Sequence, residues 1–256
     1  MTDDELSLDA LTLDLSVFQR RKGHRFSSDD VVTAWVAMQV CPTPRTVLDL
    51  GCGLGSVLLH LAWSAPHATV VGVEAQEQSF ALAVRNIAHN HLGDRVTVHL
   101  GDLRAPEIVA SLGGPFELVT GTPPYFPATT ATEAMDVQRA YARIEFRGGV
   151  EAYLATGAHL LAPDGWLVVC GDADAGDRVE RGADGVSLTI HRHDVVVPRA
   201  GRTPLFAVWA LRHTEPGAPA VVRTERTVTM RDVDGARTAD ARALRAFSGF
   251  PERFAP

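Results

Sequence analysis

Asp49-Leu50-Gly51-Cys52-Gly53-Leu54-Gly55-Ser56 joins a β-branched apolar run to a helical pattern. Glycines in such a strand-to-helix turn permit positive φ and let the backbone approach a ligand closely. A dinucleotide turn would read G-x-G-x-x-G and seat a pyrophosphate on the helix N-terminus. Here the glycines run G-x-G-x-G, and Asp49 sits just before them. A carboxylate there repels a pyrophosphate but pairs with an amino group. Glu74 closes the next strand, 23 residues after Gly51, where an acid accepts from both ribose hydroxyls of a nucleoside. Asp102 follows the third strand and can accept from an adenine amino group. Three acids at three successive strand ends suit a cationic nucleoside that bears an amino-acid tail.

A second motif, Thr122-Pro123-Pro124-Tyr125-Phe126, follows the fourth strand. Ligands of open α/β sheets bind at such strand ends. An exocyclic amine is a poor nucleophile, because its lone pair is delocalised into the ring. A side-chain oxygen at position 122 and the Pro123 carbonyl can each accept one N–H. That turns the lone pair toward an electrophile and aligns the attack. Tyr125 can stack on a flipped base.

These segments resemble the class I S-adenosylmethionine (SAM)-dependent methyltransferases over residues 46–213. Leu161-Ala162-Pro163-Asp164-Gly165-Trp166-Leu167 is similar to that family's loop before the fifth strand. The resemblance implies SAM as cofactor, held by Asp49, Gly51, Gly53, Gly55, Glu74 and Asp102. The motif at 122–126 is similar to the (Asn/Asp/Ser)-Pro-Pro-(Tyr/Phe) signature of amino-methyltransferases, with Thr122 at the position usually Asn. It implies that Thr122, Pro123, Pro124 and Tyr125 do the chemistry, with Thr122 also near the cofactor and Phe126 on the substrate. A threonine hydroxyl can accept a hydrogen bond but is shorter than asparagine. The segment Gln19 to Val32 is similar to the N-terminus of the bacterial subfamily that methylates adenine N6 in a valine tRNA. By that resemblance Phe26 to Asp29 close over the cofactor, which adds Ser27 and Asp29 to its shell. Arg20, Arg21, Lys22 and Arg25 then meet phosphate, or else form a solvated loop. The Arg-rich stretch of that subfamily corresponds to Gln138–Arg147.

Elements that position these residues follow from periodicity. β-branched runs at 46–50, 69–74, 95–100, 116–121, 165–171, 186–191 and 205–211 predict seven strands. Helical patterns at 29–40, 55–63, 77–91 and 149–161 alternate with them. The expected fold is α/β, a doubly wound, mostly parallel, Rossmann-like seven-stranded sheet with helices on both faces. Residues 1–45 form an N-terminal segment and helix, 46–213 the SAM-binding core, and 214–256 an Arg-rich extension.

Composition bounds the partners. The chain has 256 residues and a net charge of −7, so it is not coated in positive charge for nucleic acid. Five acids and no base lie in residues 1–17, and four bases and no acid in 18–25, so a local basic patch remains open. No apolar run reaches the ~20 residues of a membrane span, and MTDDELSLDA is not a secretory signal. Cys41, Cys52 and Cys170 lack CxxC spacing, which fits a reducing cytoplasm and predicts no metal. His191 and His193 share a strand face but lack a third ligand. Neither G-x-S-x-G nor HExxH occurs. The expected activity is methyl transfer to an exocyclic amine, adenine in structured RNA such as tRNA. The alternatives are a small metabolite, a protein substrate, or a non-catalytic SAM-fold binding protein.

Overall fold

Runs such as Thr46–Leu50 and Phe116–Gly121 are mostly apolar and are buried on both faces, the pattern of strands covered on both sides by helices. The computed structural model describes residues 5–126, 136–217 and 219–251. In chain order its strands are β1 (Leu6–Ala10), β2 (Ser16–Arg20), β3 (Thr46–Leu50), β4 (Thr69–Glu74), β5 (Val96–Leu100), β6 (Phe116–Gly121), β7 (Leu161–Gly171), β8 (Leu188–Val197), β9 (Phe206–His213) and β10 (Thr224–Thr229). The helices are α1 (Ser28–Val40), α2 (Ser56–Ser64), α3 (Glu77–His89), α4 (Pro106–Ser111), α5 (Val137–Arg143), α6 (Val150–Leu160), α7 (Gly176–Gly185) and α8 (Ala239–Phe247).

The main sheet runs β10-β8-β9-β7-β6-β3-β4-β5. Only β9 is antiparallel to its neighbours. Strand order reverses at β3, which has β4 on one side and β6 on the other, so a crevice opens at their C-terminal ends. One apolar layer gathers residues of α1, α2 and α3; the other gathers α6 and α7. Helices therefore cover both faces, as expected.

The sheet has eight strands where periodicity predicts seven. The extra strand, β10, pairs parallel to β8 at the edge. Of Thr-Glu-Arg-Thr-Val-Thr only Val228 is buried, so the segment carries too little apolar alternation to be read as a strand. β7 starts at Leu161 rather than 165, and β8 continues to Val197 rather than 191. α7 was missed because its glycine- and charge-rich sequence buries only Val179 and Ala183.

Residues 6–20 form an antiparallel hairpin, β1 with β2, where the sequence predicts no strand. Its anchor is Asn86 of α3, wholly buried. The Asn86 side chain accepts from Phe18 N at 2.7 Å and donates to Phe18 O at 3.1 Å and Leu54 O at 2.9 Å. One amide thus ties the hairpin to the glycine turn. From the acidic arm Asp3 and Asp4 lie outside the described residues; Asp9 and Asp14 accept from Arg25 and Trp63. No helix among the described residues is long and apolar enough to cross a membrane.

α8 closes over α2 through His60, whose ring stacks on Phe247 at 5.1 Å and lies 3.0 Å from Ser248 Oγ. Burial pushes the His60 pKa down to about 4. A depressed histidine contributes stability that is full above its unfolded value near 6.5 and lost as pH falls through about 4. The contribution is at most about 3 kcal/mol. His60→Gln should therefore lose less stability than the parent between pH 6.5 and 4, read by denaturant titration at each pH. An equal acid loss in both proteins would contradict this assignment.

Candidate functional site

β3 ends at Leu50 directly opposite Gly121 at the end of β6, so the glycine turn and the Thr122 motif emerge side by side. A cleft lies over the turn. Gly51, Gly53, Glu74 and Asp102, the residues singled out from the sequence, line it together with Asp30, Arg147 and Tyr153. Gly51 has φ +61°, and a Cβ there would collide with the Tyr153 hydroxyl. Gly53, at φ +58°, presents its missing Cβ to open space. That vacancy over the turn is where a ligand can approach the backbone. Gly55 does not line the cleft; it is buried with φ +94° and starts α2.

The cleft gathers carboxyl groups. Glu74 Oε2 accepts from Gly53 N at 2.9 Å and Oε1 from Gln76 N at 2.6 Å. Burial nevertheless raises its pKa. Asp49 lies beneath the turn rather than on the cleft wall. Thr120 Oγ1 donates to its Oδ1 at 2.8 Å, while Oδ2 is buried with no hydrogen-bond partner among the described residues. Burial raises the Asp49 pKa to about 7, and the nearby Glu74 adds to the rise. Asp30, buried at the start of α1, accepts from Ser27 N at 2.9 Å, and burial lifts its pKa well above the carboxylate range. Asp102 differs: Arg104 pairs with it at 2.7 Å and holds its pKa down. Three raised carboxyls, one with an orphaned oxygen, beside an open glycine cradle fit a cationic nucleoside. Glu74 and Asp102 stand on the wall of that cleft, and Asp49 lies beneath its glycine turn.

A second cavity adjoins the first. Thr122, Pro124, His24, Phe26, Asp30 and Ala142 line both. The second cavity adds Pro123, Tyr125, Phe126, Ser27 and Asp29. The structure thus puts Ser27 and Asp29 on the wall of the second cavity, and it is Asp30 that reaches the first. Asp29 accepts from Ser27 Oγ and from the Tyr125 hydroxyl, which fixes the Tyr125 ring. The Phe126 ring carries the Arg143 guanidinium 5.1 Å from its centroid. Among the described residues no hydrogen bond involves the Thr122 hydroxyl.

The bases divide into two sets. Arg21, Lys22, Arg25, Arg139 and Arg143 line the second cavity. Arg20 does not; it pairs with Asp136 at 2.9 Å and clamps β2 to the start of α5. Arg25 pairs with Asp9 at 3.0 Å and donates to Ser7 Oγ at 2.8 Å. Both charges are thus answered within the chain, whereas Arg21 and Lys22 are exposed. Arg147, from the Arg-rich stretch, turns to the first cleft and lies 4.6 Å over the Tyr141 ring.

Sequence reasoning missed Asp30, Arg147 and Tyr153. Asp30 had a usable signal, since an acid three residues after Ser27 is a helix-capping pattern. Tyr153 had none, being one apolar position on a helix. If Glu74 holds a ribose, Glu74→Ala should weaken SAM binding by about 1–3 kcal/mol through lost charge-assisted hydrogen bonds. Calorimetry on the folded variant showing parent affinity would remove Glu74 from that role.

Comparison with known proteins agrees with this geometry. A family model described as a methyltransferase domain matches residues 47–149. A tRNA1(Val) (adenine(37)-N6)-methyltransferase of Bacteroides thetaiotaomicron is 30% identical over 175 residues, 67% of this chain and 69% of that one. A release factor glutamine methyltransferase of Geobacter sulfurreducens is 37% identical over 150 residues, 55% of this chain and 50% of its own. The chain spans about half the length of the curated relatives it matches first. Among solved structures, a predicted O-methyltransferase from Agrobacterium tumefaciens shares the fold at TM-score 0.66 and 16% identity, over 89% of this chain and all of that one. The cleft at the sheet's reversal, the match of the domain model and the extended alignment to the Bacteroides enzyme place this chain in the SAM-dependent methyltransferase family.

Proposed function

We propose that the protein transfers the methyl group of SAM to an exocyclic amine, adenine N6 in structured RNA, in the cytoplasm. The observation that carries this reading is the junction at Thr122 and Pro124. They line both a carboxylate-rich cleft and a cavity rimmed by Arg21, Lys22, Arg139 and Arg143. A cationic methyl donor suits the first, and a base attached to phosphates suits the second. Relatives named as adenine-N6 methyltransferases of tRNA point the same way.

SAM supplies an electrophilic methyl on a sulfonium, which departs as a neutral thioether. Thr122 Oγ and the Pro123 carbonyl accept the two amine N–H groups and hold the nitrogen lone pair toward the junction. Tyr125 and Phe126 hold the base plane in the second cavity. After transfer the excess proton on nitrogen passes to water, so no general base is required.

Relatives also include glutamine methyltransferases of release factors and of ribosomal protein uL3. A glutamine amide is likewise a delocalised amine that the same two acceptors could orient. Labelled SAM offered separately with total RNA, protein extract and small metabolites tests the reading. Label in RNA supports it; label only in protein or metabolites overturns it. Binding of SAM without transfer to any pool would make the chain a binding protein.

A further inference from the structure

The Arg-rich extension has no part in the chemistry above, yet the sheet brings it to the same edge. β6 reaches Gly121 opposite Val169 of β7, and β7 reaches Gly171 opposite Ala207 of β9. β8 reaches Val196 opposite Phe206, and β10 runs parallel to β8 as far as Val197. The turn after β8 and the turn after β10 therefore leave from the edge where Thr122 leaves β6. Strands lie about 4.8 Å apart, so these turns stand roughly 14–19 Å along the edge from Thr122.

The two turns are bonded to each other. Ala200 N donates to Arg231 O at 2.8 Å, and Met230 N to Val197 O at 2.9 Å. Arg199 Nε donates to Asp232 O at 3.2 Å and Arg231 Nη1 to Gly235 O at 2.7 Å. Both guanidinium groups are fixed by backbone carbonyls, which orient them without neutralising them. Arg202 and Arg237 form no ion pair among the described residues. The acids here are Asp232 and Asp234, and Asp232 Oδ1 is already engaged by Asp234 N and Ala236 N. Asp172 and Asp174 follow β7 at this edge and precede α7, whose buried Val179 and Ala183 belong to the apolar layer opposite α1.

We propose that Arg199, Arg202, Arg231 and Arg237, set along the active-site edge of the sheet by β8 and β10, form a second phosphate-contact site for the RNA whose target base enters beside Thr122. The inference rests on the RNA reading above. It gives the extension a function: contacts to phosphate fix register and add affinity without reading sequence. A structured RNA spans both sites; a substrate no larger than one nucleoside cannot.

The test is binding of a transcribed valine tRNA to the full chain across a salt series, with SAM affinity measured alongside. In R202E/R237E the slope of log affinity against log salt should fall by roughly 1.4–1.8 units, since each lost phosphate contact removes about 0.7–0.9. Affinity at low salt should fall at least tenfold, and SAM affinity should stay at the parent value. R202A/R237A, the gentler pair, should show the same slope change if charge reversal disturbs folding. A parent-like slope in folded variants of a protein that does methylate the tRNA overturns this site alone. Failure of the parent to bind or methylate the tRNA overturns the RNA reading and this site together.

Discussion

Thr122→Val should slow methyl transfer to adenine by about 10–1000-fold while leaving SAM affinity nearly intact. Valine keeps the shape and removes the acceptor. Thr122 sits between the two cavities, and no hydrogen bond within the described residues occupies its hydroxyl. Its lone pairs are therefore available to an amine N–H, a contact that matters most as the nitrogen lone pair leaves conjugation. Single-turnover transfer at saturating SAM isolates that step. Thr122→Asn, which restores the residue usual in the motif, should retain or raise activity on adenine. Transfer by Thr122→Val at the parent rate would reduce Thr122 to a turn residue and return the substrate question to protein and small molecules.

Asp49→Asn should have opposite effects on binding and stability. Asparagine can still accept from Thr120 Oγ1 but carries no charge. SAM affinity should fall about 10–100-fold at pH 8, because the charge that answers the ligand's cation is gone. The parent should itself lose affinity as pH drops below about 7, where the free protein takes up a proton at Asp49, and Asp49→Asn should lack that dependence. The stability sign is reversed. A carboxyl raised from 3.8 to about 7 contributes stability that is full below 3.8 and lost as pH rises through about 7. Without ligand, Asp49→Asn should therefore be more stable than the parent above pH 7. Calorimetric Kd values and denaturant midpoints across pH check both halves. A variant that is neither weaker in binding nor more stable would show that Asp49 carries no buried charge of this kind.

The central part of the fold was legible because its signals are local. Thr69–Glu74 is a contiguous β-branched run with a terminal acid, and its bounds agree with the strand found. Gly51, Gly53, Glu74 and Asp102 line one cleft because each closes or follows a strand of the parallel set, so reading the strands places them. What stayed hidden depends on distant partners. Nothing near Arg20 shows that Asp136, 116 residues on, will neutralise it, so it read as a phosphate ligand. Arg147 ends a stretch in which Arg139, Arg143 and Arg147 recur at four-residue spacing and look alike, yet the chain after α5 turns it toward the carboxylates of the first cleft. β10 escaped because an edge strand with one buried residue needs no alternating pattern.

On the function proposed above, the junction at Thr122 methylates the amine of an adenine in RNA. Its most direct test is to incubate unmodified valine tRNA with the protein and methyl-labelled SAM, digest the RNA to nucleosides and identify the labelled one. Label should appear in N6-methyladenosine, and Thr122→Val should lose that label at equal time. Label on a ring nitrogen, on a ribose hydroxyl or on no nucleoside would contradict it.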